Sequence, residues 1–114
     1  MKKFLVLYES SVPAEEQMKA PPEQKKAGME LWMKWMQKVG SALVDPGSPL
    51  GNAVVMKGSA GASGASNVSG YSIVQAGSRQ EVERLFEEHP HFKAPSAVID
   101  ILECLSMPGT PKKG

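Results

Sequence analysis

Between Gly70 and Glu103 the chain changes hydrophobic period twice, and this constrains the fold more than any other feature. Tyr71 to Ala76 is a short apolar run rich in β-formers, which predicts a strand. Ser78-Arg79-Gln80-Glu81 then fits a capping box, the hydroxyl and the carboxylate each satisfying a backbone N–H that a helix start leaves open. Val82, Leu85, Phe86 and His89 follow at i, i+3, i+4 and i+7, so they share one helical face. Pro90 stops that helix, and Ala97 to Leu105 supplies a closing strand. The His89-Pro90-His91 pair therefore falls at the seam between helix and strand, with the first imidazole on the side that packs on the core.

The first half repeats the alternation. Lys3 to Tyr8 reads as a strand whose apolar residues occupy both faces, Phe4 and Val6 on one, Leu5 and Leu7 on the other, so both sides call for cover. Pro21-Pro22 open a helix from about Pro22 to Val39. Leu31, Trp32, Trp35, Met36 and Val39 form its apolar stripe, and Glu23, Lys26, Glu30, Lys34 and Lys38 its solvated side. Gly40 ends it. Ala42 to Val44 is a second strand that runs into the bend Asp45-Pro46-Gly47. Asn52 to Lys57 adds at most a little strand. Glycine, serine and alanine then crowd the segment from about 58 to 69, which predicts a flexible loop, and Thr110 to Gly114 reads as a loose tail.

The order β-α-β-β-α-β over residues 1–109 is that of a single ferredoxin-like α+β domain, an antiparallel sheet with both helices on one face. The other sheet face is then bare, and this chain of 114 residues has no spare element to cover it. The expected cover is a second copy, giving a homodimer. A net charge of +1, from 13 basic and 12 acidic residues without a basic stripe, argues against nucleic acid as a partner. No apolar segment approaches the roughly 20 residues that span a bilayer, and Phe4 to Leu7 is too short for a signal h-region. With Cys104 alone, neither an intramolecular disulfide nor a cysteine-based zinc site forms, and the expected compartment is the cytoplasm.

Several pieces, taken in order, resemble the YCII-related proteins of the dimeric α+β barrel superfamily, in the branch related to the DGPF-motif proteins. They are Phe4-Leu5-Val6-Leu7-Tyr8, Gly28-Met29-Glu30 through Trp32 and Trp35, Val44-Asp45 through Pro49-Leu50-Gly51, Gly70-Tyr71-Ser72-Ile73, His89-Pro90-His91-Phe92, and Ile99 to Leu105 before Met107-Pro108-Gly109. The resemblance implies a ferredoxin-like protomer that dimerises into a barrel and a site that uses a histidine and an aspartate. His89 and Asp45 match that pair. The Asp-Gly-Pro-Phe motif itself is absent, and the Gly/Ser/Ala-rich loop stands in its place, so nothing attached to that motif carries over.

His89, with an ordinary pKa of ~6.5, suits acid–base work near neutrality, and it equally suits a helix C-terminus, whose dipole favours an imidazolium. Asp45 could orient that imidazole, or simply cap its own turn. Tyr8, Trp32, Tyr71, Ser72 and His91 are the candidate ligand-binding residues, each with an alternative as a packing or turn residue. Two histidines without a third nitrogen or sulfur ligand make a poor metal set, and no cofactor is expected. The glycines of the loop lack the Lys-Ser/Thr ending and following helix of a phosphate cradle. Two functions stand: an enzyme-like site in which His89 and Asp45 transfer protons on a small organic acid or lactone, and a non-catalytic binding or regulatory module.

Overall fold

The computed structural model describes residues 1–11, 18–58, 62–63, 66–93 and 96–107. Strand β1 (Lys2–Glu9) leads to helix α1 (Pro22–Val39) and, after a 3-10 turn at Gly40–Ala42, to β2 (Leu43–Asp45). A small hairpin, β3 (Val55–Met56) with β4 (Ala62–Ser63), precedes β5 (Val68–Ala76), helix α2 (Arg79–Phe86), a 3-10 turn at Pro90–Lys93 and β6 (Val98–Glu103). The main sheet has the order β2-β5-β1-β6 with every pair antiparallel. That is the ferredoxin-like arrangement, in which the first and third main strands lie central and the second and fourth at the edges.

Local chemistry explains the element ends. Pro21 and Pro22 begin α1, where a missing N–H costs nothing, and Gly40 leaves it at φ 60°. At α2 the Ser78 hydroxyl accepts the Glu81 N–H at 3.3 Å, while Glu81 Oε2 reaches back to the Gly77 N–H at 3.0 Å. The capping reading of this helix start is thus realised with Gly77 as the second donor. The 3-10 turn after α1 displaces β2 by one residue from the expected Ala42–Val44, and β6 stops two residues short at Glu103. β5 starts at Val68, and Ala62–Ser63 pair with Val55–Met56, so the Gly/Ser-rich stretch contributes strand at both points. Residues 59–61 and 64–65 of that stretch, and the tail from Thr110, lie outside the described residues.

A period of two sorts the strand residues. Phe4, Val6 and Tyr8 of β1 and Val74 and Ala76 of β5 are buried against Trp35 and Val39 of α1 and Val82 and Phe86 of α2. Both helices therefore cover the same sheet face. The opposite face carries Leu5, Leu7 and Glu9 with their register partners Ile73, Tyr71, Leu102, Asp100 and Val98. Leu5, Leu7, Tyr71 and Ile73 are half-buried by their neighbours alone, and Val98 and Leu102 are exposed.

Candidate functional site

His89 sits in the helix-side core at 2% exposure, held in a box of four aromatic rings. Tyr8 and Phe86 stack on it at 5.0 and 5.4 Å between ring centres, and Trp32 and Trp35 meet it edge-to-face, both at 4.4 Å. The local cause is the Pro90 break: directly after it the chain turns, so the His91 N–H donates to His89 Nδ1 at 2.9 Å. With Nδ1 accepting, the neutral ring carries its proton on Nε2, and that buried nitrogen has no hydrogen-bond partner. Burial lowers the His89 pKa to about 3, and the neighbouring His91 adds to the effect. The dipole of α2 does not hold an imidazolium here, because the aromatic box removes the water a charged ring would need.

His91 has a different role. Its Nε2–H is shared between the carbonyls of Glu9, at 2.8 Å, and Val98, at 3.2 Å. It thereby ties together the ends of β1 and β6, and its ring also meets Tyr8 edge-on.

Asp45 lies elsewhere. Its Oδ1 accepts the Gly47 N–H at 2.8 Å, closing the turn, and its Oδ2 faces the Tyr71 hydroxyl at 3.5 Å. Gly47 is at φ 78° with its Cα pressed on the Tyr71 carbonyl, so that a Cβ there would overlap the oxygen. Only glycine fits both constraints. Tyr71 belongs to the open face, whereas the Tyr8 ring stacked on His89 belongs to the helix face, so β5 and β1 stand between the imidazole and the carboxylate. The expected His89–Asp45 hydrogen bond is not formed. Alternation along the strands separates residues that the chain order alone left free to meet.

The two sides are linked by one chain of hydroxyls. Tyr8 donates to Ser72 Oγ at 2.8 Å, and Ser72 donates to the Pro46 carbonyl at 2.9 Å. Since Ser72 has one proton and spends it on Pro46, Tyr8 must be the donor in the first bond. Burial pushes the Tyr8 pKa up to about 12, so the phenol acts as a fixed donor and not as an acid. The candidate residues thus form two groups. Tyr8, Trp32, His89 and His91 gather on the helix side, Asp45 and Tyr71 on the open side, and Ser72 joins them through the bend.

The open face holds a further pair that the candidate set lacked. Glu9 shares a hydrogen bond with Asp100, and this bond raises the Glu9 pKa above the ordinary carboxylate value, with burial and the like charge of Asp100 adding smaller pushes. Register explains the meeting: Glu9 pairs with Val98 and Leu7 with Asp100, so the two acids are diagonal neighbours on one face. The parity of Glu9 with Leu5 and Leu7 was visible in the sequence; its strand partner was not. Among the described residues no group of three His, Cys, Asp or Glu side chains comes together to hold a metal ion. No helix among them is long and apolar enough to cross a membrane.

Comparison with known proteins adds little beyond this. No family model matches the chain, and no curated protein matches it in sequence. Among solved structures, the chain is similar to the 5-chloro-2-hydroxyhydroquinone dehydrochlorinase of Burkholderia phenoliruptrix AC1100 in complex with 2,5-dihydroxybenzoquinone. The identity is 13%, the match covers 88% of this chain and 91% of the other, and the TM-score is 0.46.

Proposed function

We propose that the protein is a homodimeric small-molecule-binding module in which a second copy covers the open face of the sheet. The observation that carries this reading is the make-up of that face. Leu5, Leu7 and Ile73 form an apolar strip with Val98 and Leu102 beside it, while Asp45, Tyr71, Glu9 and Asp100 bring polar groups to the same side. Contiguous apolar surface of this kind is what a partner or ligand covers. Between two such faces the strip supplies apolar walls and the Asp45–Tyr71 corner supplies directed acceptors and a donor, the usual division of labour in a ligand pocket. The resemblance of the sequence to YCII-related proteins, read from the residues quoted above, agrees with a barrel made by two copies.

The enzyme-like reading, proton transfer between His89 and Asp45 on a small organic acid or lactone, has weaker support. It needs the two groups within about 3 Å or one water of each other, and the sheet separates them. Binding without chemistry at the imidazole asks for no such rearrangement.

Light scattering at micromolar concentration, followed by a thermal-shift screen of small organic acids, lactones and their neutral analogues, tests the reading. A particle of twice the chain mass and a compound that raises the melting temperature are expected, with Asp45→Ala removing the shift and leaving the mass unchanged. A stable monomer refutes the dimer, and an unchanged shift in Asp45→Ala removes the corner from the site.

A further inference from the structure

We propose that a second site, on the helix side of the molecule, binds a compact amphipathic anion of the aryl-carboxylate class. A groove of about 270 Å³ runs between α1 and the turn that follows α2, lined by Leu31, Lys34, Trp35 and Lys38 on one wall and Leu85, Glu88 and Pro90 on the other. Its size suits a one- or two-ring molecule.

Two features give it that chemistry. The floor is apolar and fixed: Trp35 is buried, and its indole N–H is spent on the Leu85 carbonyl at 2.8 Å, which clamps the two walls together. Neither the indole N–H nor the Leu85 carbonyl then needs a partner from a ligand, and a flat apolar ring can lie against Leu31, Leu85 and Pro90 beside the edge of the indole. The rim is cationic on one side. Lys34 and Lys38 are spaced i, i+4 on α1, so their exposed ammonium groups rise from the same helix face. Among the described residues neither makes an ion pair within 4 Å. Glu88, exposed across the groove, is the one carboxylate in the lining, which leaves an excess of one positive charge over an apolar floor. An anion with an aromatic body satisfies both parts, its ring on the floor and its carboxylate between the two lysines. The open sheet face lies on the far side of the sheet from this groove, so a second copy seated there leaves the groove accessible.

The test is an NMR titration of the ¹⁵N-labelled full chain with sodium 2-naphthoate and, separately, with the neutral 2-naphthylmethanol. Saturable shifts are expected at the Trp35 indole N–H and the backbone of residues 31–38 and 85–88. The exposed double variant Lys34→Gln/Lys38→Gln is expected to weaken naphthoate about fivefold, a screened surface-charge effect, with the alcohol unaffected. Glu88→Gln is expected to tighten naphthoate about twofold on the same grounds. The proposal is overturned by the absence of saturable shifts at millimolar ligand, by equal losses for naphthoate and alcohol in the double variant, or by shifts that map to Leu5, Leu7 and Tyr71 instead.

Discussion

The two faces of one sheet treat ionisable groups in opposite ways. On the helix side an imidazole is enclosed by Tyr8, Trp32, Trp35 and Phe86 and kept neutral. On the open side Glu9 shares a hydrogen bond with Asp100, which raises the Glu9 pKa above the ordinary carboxylate value. Adjacent residues of the same strand, Tyr8 and Glu9, lie on the two sides. The lesson is that a titratable residue at a promising place in the sequence acquires its chemistry from the face it lands on. His89 landed among rings, and its place is that of a core residue with one polar edge tied to His91.

The sharpest contrast between the faces is energetic. Phe86→Ala, which empties part of the aromatic box, is expected to cost about 3–5 kcal/mol in chemical denaturation. Leu7→Ala on the open face is expected to cost clearly less in the isolated chain, since Leu7 is only half-buried. If a second copy covers that face, the Leu7→Ala loss grows with protein concentration, because association and stability are then linked. A concentration-independent loss as large as that of Phe86→Ala would erase the distinction between the faces.

Acid is the next lever. The folded His89 pKa lies at about 3, below the ~6.5 of the unfolded chain. Between those values the unfolded state binds the extra proton, so stability rises with pH across that window. The contribution is complete above pH ~6.5 and is lost progressively as the pH falls toward ~3, with about 2 kcal/mol gone at pH 5. Urea denaturation at pH 7 and pH 5 measures it, and His89→Phe is expected to flatten the difference. A wild-type curve that stays level between these pH values would mean that the ring reaches water.

An effect of similar size is expected at the bend. Gly47→Ala combines a positive φ with overlap on the Tyr71 carbonyl, and is expected to cost about 1–3 kcal/mol. Because that bend carries Asp45, displacement of the Tyr71 ring and Asp45 amide resonances from their native positions by NMR should accompany it. The smallest is at the cap of α2: Ser78→Ala removes the bond to the Glu81 N–H and is expected to cost about 1 kcal/mol, read by the thermal midpoint. A null result there would show that the Gly77–Glu81 contact suffices to start the helix.

The sequence by itself determined the elements and their order. The 3.6-residue spacing of Val82, Leu85, Phe86 and His89, the prolines at 21 and 22, and the two-sided apolar run of β1 are local signals, and which residues share a face follows from period alone. It also pointed His89 to the core, although α2 ends at Phe86 and not at Pro90, and His89 is held in the turn beyond it, where its N–H donates to the Phe86 carbonyl at 3.2 Å. Tertiary structure decided what each of these residues meets. Strand register set Glu9 diagonal to Asp100 and put Tyr71 beside Asp45, and no local pattern encodes a partner 91 or 26 positions away. The separation of His89 from Asp45 has the same origin. Chain order brought each to the end of an element, but only the packing of both helices on one face put the imidazole beneath the sheet and left the carboxylate above it.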